Sequence, residues 1–75
     1  RMPFESEIYR QIFSSEELEQ VRMSYVRCCD LLGTWPNTHE SEILLAQFVL
    51  RAFEESNHDP ELTALRAFEI VQMLH

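Results

Sequence analysis

The feature that most restricts this chain is a set of local stop and start signals that cuts an otherwise continuous helical pattern into segments. The single glycine, Gly33, is followed by Pro36 and Asn37, and a second break reads Ser56-Asn57-His58-Asp59-Pro60. Glycine supplies the left-handed conformation that ends a helix. Asp before Pro places a capping carboxylate at a helix start and puts the residue that lacks an amide where none is needed. Around these breaks apolar residues recur at intervals of three and four and never alternate, so strands have no support. The pattern predicts an all-α domain over residues 1–75: a three-helix bundle with a short additional N-terminal helix, the helices at 4–13, 15–32, 39–56 and 60–75.

Each segment carries its own signals. In the first, Phe4, Ile8 and Ile12 form one stripe with Tyr9 and Phe13 on its flank, a helix too short to stand without docking. Ser14 or Ser15 opens the second, and Ser14 with Glu17 has capping-box spacing. Leu18, Val21, Tyr25, Cys28 and Leu32 then form its apolar face, with Glu16, Glu19, Arg22, Arg27 and Asp30 on the wet side. The third is capped by Asn37 with Glu40 or by Thr38 with Glu42. Its apolar arc, from Ile43 to Phe53, spans about 220° on a helical wheel, which marks it as the central helix packed on two sides. In the fourth, Leu62, Ala64, Leu65, Ala67, Phe68, Val71 and Leu74 fall in phase, leaving Glu61, Thr63, Arg66, Glu69, Gln72 and Met73 to water.

Charge narrows the function. Thirteen acids stand against six basic residues, all of them Arg, for a net charge of −7 with His neutral. A phosphate backbone is repelled by such a surface, so direct nucleic-acid binding is not expected. The longest strongly apolar stretch, residues 43–50, is too short to span a bilayer, so no membrane partner is expected either. The adjacent Cys28 and Cys29 point about 100° apart on a helix and do not suit a mutual bridge, and a reducing cytoplasm is the default location.

The chemistry-bearing residues give no catalytic, cofactor or metal site. His39, His58 and His75 are scattered, and two Cys with three His supply no structural-zinc spacing. The cysteines sit near a helix C-terminus, where the dipole disfavours a thiolate, so they read as small core residues. One glycine cannot build a phosphate-cradling loop. An enzyme would require a cleft assembled between subunits, with Cys29 or His58 facing a neighbour. The single Trp35, in a loop beside Pro36, is either a lid over the core or an interface anchor. Residues with interface potential are Trp35, Phe4, Ile8, Tyr9, Phe53 and Met73.

The order of pieces from Phe13 to Arg22, Ser41 to Glu55 and Asp59 to Leu65 resembles a group of small uncharacterised all-helical proteins of alphaproteobacteria. That group commonly carries Gly before its D-P-E turn, where this chain has Asn57 as the residue able to turn left-handed. The resemblance implies a bacterial cytoplasmic helical domain and supplies no active residues. The functional expectation is a non-enzymatic protein-interaction or regulatory domain with an unidentified protein partner. Its wide apolar arcs also point to a homodimer. The alternative is a component of a nucleic-acid-associated regulator that acts through a partner or through a basic segment outside these residues.

Overall fold

Capping fixes where the three long helices begin. The computed structural model describes residues 3–74, which form α1 (Glu7–Ile12), α2 (Ser15–Leu32), α3 (His39–Glu55) and α4 (Pro60–Met73). Ser14 and Glu17 form a complete capping box, each side chain accepting from the other's backbone amide at 3.1 and 2.8 Å. Thr38, not Asn37, caps α3 by accepting from the Ser41 amide at 3.0 Å. Asp59 accepts from the Leu62 amide at 3.1 Å, with Pro60 in the first turn of α4. Gly33 ends α2 at φ 78°, and its amide and that of Thr34 both reach the Cys29 carbonyl. Before α4 the left-handed role falls on two residues, Asn57 at φ 53° and His58 at φ 65°.

Differences from the sequence reading lie at the helix ends. The first helix starts at Glu7 and not at residue 4, because Phe4 sits in a turn that drives its ring into the core. It stops before Phe13, whose extended backbone turns the chain into the Ser14 cap. Ser56 caps α3 and Leu74 caps α4, so both helices finish earlier than expected; residue 75 lies outside the described residues.

Glu17 near the start of α2 lies 3.6 Å from His58 in the turn before α4, while Leu32 and Leu74 at their far ends line one groove. The two helices therefore run in the same direction and α3 runs back antiparallel to both. The core joins Leu18, Val21, Tyr25, Cys28 and Cys29 of α2 to Leu45, Ala46, Val49, Ala52 and Phe53 of α3 and Ala64 and Ala67 of α4, with Phe4 inserted from the N-terminal turn. Two ion pairs stitch its surface: Arg27 to Glu61 across α2 and α4, and Arg66 to Glu55 across α4 and α3, each at 3.1 Å.

The helix in closest contact with both others is α4, not α3, which corrects the expectation of a central third helix. The buried face of α4 consists of Thr63, Ala64 and Ala67. Small side chains let its backbone approach both neighbours closely, so the extent of contact follows side-chain size and not the width of the apolar arc. Two assignments on α4 change accordingly. Thr63, expected in water, is fully buried, while Leu62 and Leu65, expected inside, are about half exposed. On α1, Ile8 and Ile12 are exposed as well, and Phe4, Tyr9 and Phe13 do the packing.

The Thr63 hydroxyl is buried with no hydrogen-bond partner. Replacing it by a methyl of nearly the same volume removes an orphaned polar group, so Thr63→Val is expected to raise stability by about 1 kcal/mol. A thermal melt should show a gain of roughly 4–8 °C for a domain of this size. A drop in melting temperature would mean that the hydroxyl is bonded in solution.

Candidate functional site

The structure separates the residues with interface potential into two groups. Phe4 and Phe53 are both 0% exposed and belong to the core, so neither offers a contact surface; the large ring of each is consumed by packing. Tyr9 is partly covered by the core. Ile8, Trp35 and Met73 are exposed.

Trp35 is partly packed on the core and partly exposed. One side of the indole leans on Tyr25, ring centres 6.1 Å apart, yet 53% of the residue remains exposed. It forms one wall of a groove of about 520 Å³ at the end of the bundle. Leu32 comes from the last turn of α2, Pro36 and Asn37 from the loop, Ser41, Leu44, Leu45 and Phe48 from α3, and Val71 and Leu74 from the end of α4. The groove lies where the α2–α3 connection, begun by the left-handed Gly33, runs beside the last turn of α4. Its lining is apolar except for Thr34, Asn37 and Ser41.

Of these lining residues only Trp35 stands out in the sequence as an interface candidate. The others are foreshadowed by the wide apolar arcs of α3 and α4, which announce more apolar surface than neighbours can cover. What the arcs do not encode is where the uncovered part lies.

Among the described residues no charged residue lines the groove, and of the acids in the segments around it Asp30 pairs with Arg27 at 3.6 Å and Glu42 with His39 at 3.9 Å. Residues 28–50 and 67–74, which supply its walls, contain no Lys or Arg and carry Asp30, Glu40, Glu42 and Glu69. Among the described residues Glu40 and Glu69 enter no ion pair. The C-terminal ends of α2 and α4, neither with a basic residue in its last turn, and the start of α3 all border the groove.

A second concavity lies beside α1, between Arg10, Phe13, Ser14, Glu19 and Arg22. Its donors are largely committed: the Ser14 amide to the capping box, Arg22 to the Phe4 carbonyl at 3.2 Å, and Arg10 to Glu7 at 3.9 Å.

The remaining reactive groups lie elsewhere. Cys28 and Cys29 are buried and unbridged, and burial pushes their thiols up to about 11 and about 12. For Cys29 the neighbouring Cys28 and Asp30 add to the effect. At pH 8 the thiolate fraction is thus about 100-fold or more below that of a free cysteine. Alkylation of the folded protein by iodoacetamide is expected to be slower than that of a cysteine peptide by that factor and to recover in denaturant. A rate equal to the peptide's in the folded state would contradict the burial. His58 stacks face to face on Phe53, centroids 4.3 Å apart, with Glu17 and Glu54 3.6 and 3.7 Å from its two nitrogens. This clamps the α3–α4 turn onto the start of α2. His39 lies beside Glu42 at the opposite end, and His75 lies outside the described residues.

Among the described residues no group of three or more His, Cys, Asp or Glu side chains is placed to hold a metal ion. None of the described helices is long and apolar enough to cross a membrane. No family model matches the chain, and comparisons with curated proteins and with solved structures return no match. The functional reading therefore rests on the residues of this chain.

Proposed function

We propose that this chain is a non-enzymatic protein-interaction domain, acting in the cytoplasm, that docks a protein partner through the groove around Trp35. The observation that carries this reading is the half-exposed indole in the wall of an apolar groove built by three helices and a loop. Trp anchors dominate interface energetics because they bury a large rigid surface at small entropic cost. The groove's polar atoms are few, which suits the apolar centre of an interface better than a catalytic constellation. A role connected with nucleic acid would run through that partner, since a chain with a net charge of −7 repels phosphate.

The test is to pan a library of helical peptides against the folded chain and map each selected peptide by amide chemical-shift changes. Shifts centred on Leu32, Trp35, Leu44, Phe48 and Leu74 are expected. Absence of enrichment, or selected peptides that map elsewhere, would overturn the reading.

Self-association is the second reading, favoured by a different surface: Leu62, Leu65 and Met73 are exposed on α4, Met73 at 83%. It ranks below the first because the single chain exposes 5,065 Å², close to the roughly 4,800 Å² that size scaling gives for a folded monomer. Light scattering at micromolar concentration decides it, a mass of two chains supporting the homodimer and one chain removing it.

A further inference from the structure

We propose that the N-terminal segment, residues 3–13, is a strap that sets the position of Trp35, acting through the ring of Tyr25. The strap is fastened at few points. No residue of α1 is buried. Phe4, fully buried, seats its ring edge-on against Tyr25 at 5.7 Å, and its carbonyl accepts from the half-buried Arg22 at 3.2 Å. Phe13 marks the hinge. It and Ser14 are both extended, and α2 opens with its own capping box, so the helix that follows needs nothing from α1. A six-residue helix held in this way has two states, ring seated and ring withdrawn, and withdrawal leaves the rest of the bundle folded.

The ring that receives Phe4 also carries the indole. Trp35 leans on Tyr25 with ring centres 6.1 Å apart. The Tyr25 hydroxyl is buried with no hydrogen-bond partner among the described residues, so packing and no polar tie orients the ring. Phe4 from the strap and Trp35 from the α2–α3 loop are two of the side chains that hold it. Withdrawal of Phe4 frees Tyr25 to change rotamer, and the indole then loses the surface on which its inner side rests. Coupling between distant points travels through packed side chains of this kind when one element has two discrete arrangements, and here that element is the strap. Such coupling is reciprocal, so whatever holds Trp35 in place also favours the seated strap. It belongs to the free chain and does not depend on whether the groove takes a partner.

The test changes one end and reads the other, in the intact chain. Phe4→Ala is expected to raise acrylamide quenching of Trp35 toward that of a fully solvated indole as amide protection at residues 9–13 is lost. Arg22→Ala, which unfastens the strap without hollowing the core, should move both readings in the same direction and by less. Trp35→Ala lies outside the strap and should speed amide exchange at residues 9–13 by roughly fivefold or more relative to the amides of Val49 and Ala67, the lower end of typical coupling between sites. Exchange at residues 9–13 that keeps its wild-type ratio to Val49 and Ala67 in Trp35→Ala would overturn the proposal, even where Phe4→Ala fails to fold. So would a strap released by Phe4→Ala while the quenching of Trp35 stays unaltered. Either failure leaves the docking reading standing, since the peptide selection tests that by itself.

Discussion

Phe53→Ala is expected to cost about 3–5 kcal/mol, the range for truncating a fully buried aromatic ring. The ring is 0% exposed, stands edge-on to Phe13 at 6.0 Å and carries the His58 imidazole stacked on its face. Its loss opens a cavity between α3 and the N-terminal segment and releases the turn that His58 clamps. At roughly 0.05–0.15 kcal/mol per residue, a domain of this size has only about 4–11 kcal/mol to lose. A urea titration should therefore show the variant with its midpoint moved to low denaturant, or already unfolded at 37 °C. A loss under about 1 kcal/mol would place the ring outside the core.

Phe4→Ala is expected to act differently although its ring is equally buried. Phe4 packs edge-on against Tyr9 at 5.5 Å and Tyr25 at 5.7 Å, and its carbonyl accepts from Arg22. No residue of α1 itself is buried, so this one ring is the principal tie between the N-terminal segment and the bundle. A six-residue helix has no stability of its own. Truncation, worth about 3 kcal/mol at the low end for a buried Phe, should undock α1 while α2, α3 and α4 stay folded. Amide hydrogen exchange checks this: protection at residues 9–13 should vanish while the amides of Val21, Val49 and Ala67 keep theirs. Simultaneous loss of protection in all of them would show that Phe4 belongs to the global folding unit.

These two variants mark the boundary of what is legible in the sequence. Capped helix ends are legible, because a cap is a local interaction between residues a few positions apart: Ser14 with Glu17, Asp59 with the Leu62 amide, and Gly33 at the left-handed stop all stand where their spacing puts them, whereas α1, which has no side-chain cap, starts three residues later than its apolar stripe suggests. The burial of Phe53 is hidden within a wide arc that marks it equally for core or interface. Periodicity misplaces Phe4, assigning it the same face as Ile8 and Ile12, because its turn has no helical phase. Hydropathy misplaces Thr63 outside, whereas close helix approach selects for small volume. Likewise Trp35 is legible as a loop residue of consequence, but the groove that gives it meaning is assembled from positions as far apart as 32 and 74. Such an assembly depends on how closely each helix packs on the others, and on α4 Ala64 and Ala67 decide it.

If the surface around Trp35 receives a partner, fluorescence reports it directly, because this is the only Trp in the chain. In the free protein the half-exposed indole should emit near the wavelength of solvated tryptophan, independently of protein concentration. Titration with a Trp-free peptide selected for binding should shift the emission to the blue and protect it from acrylamide quenching, saturating at one peptide per chain. Saturable binding that leaves both emission and quenching unchanged would contradict docking at Trp35.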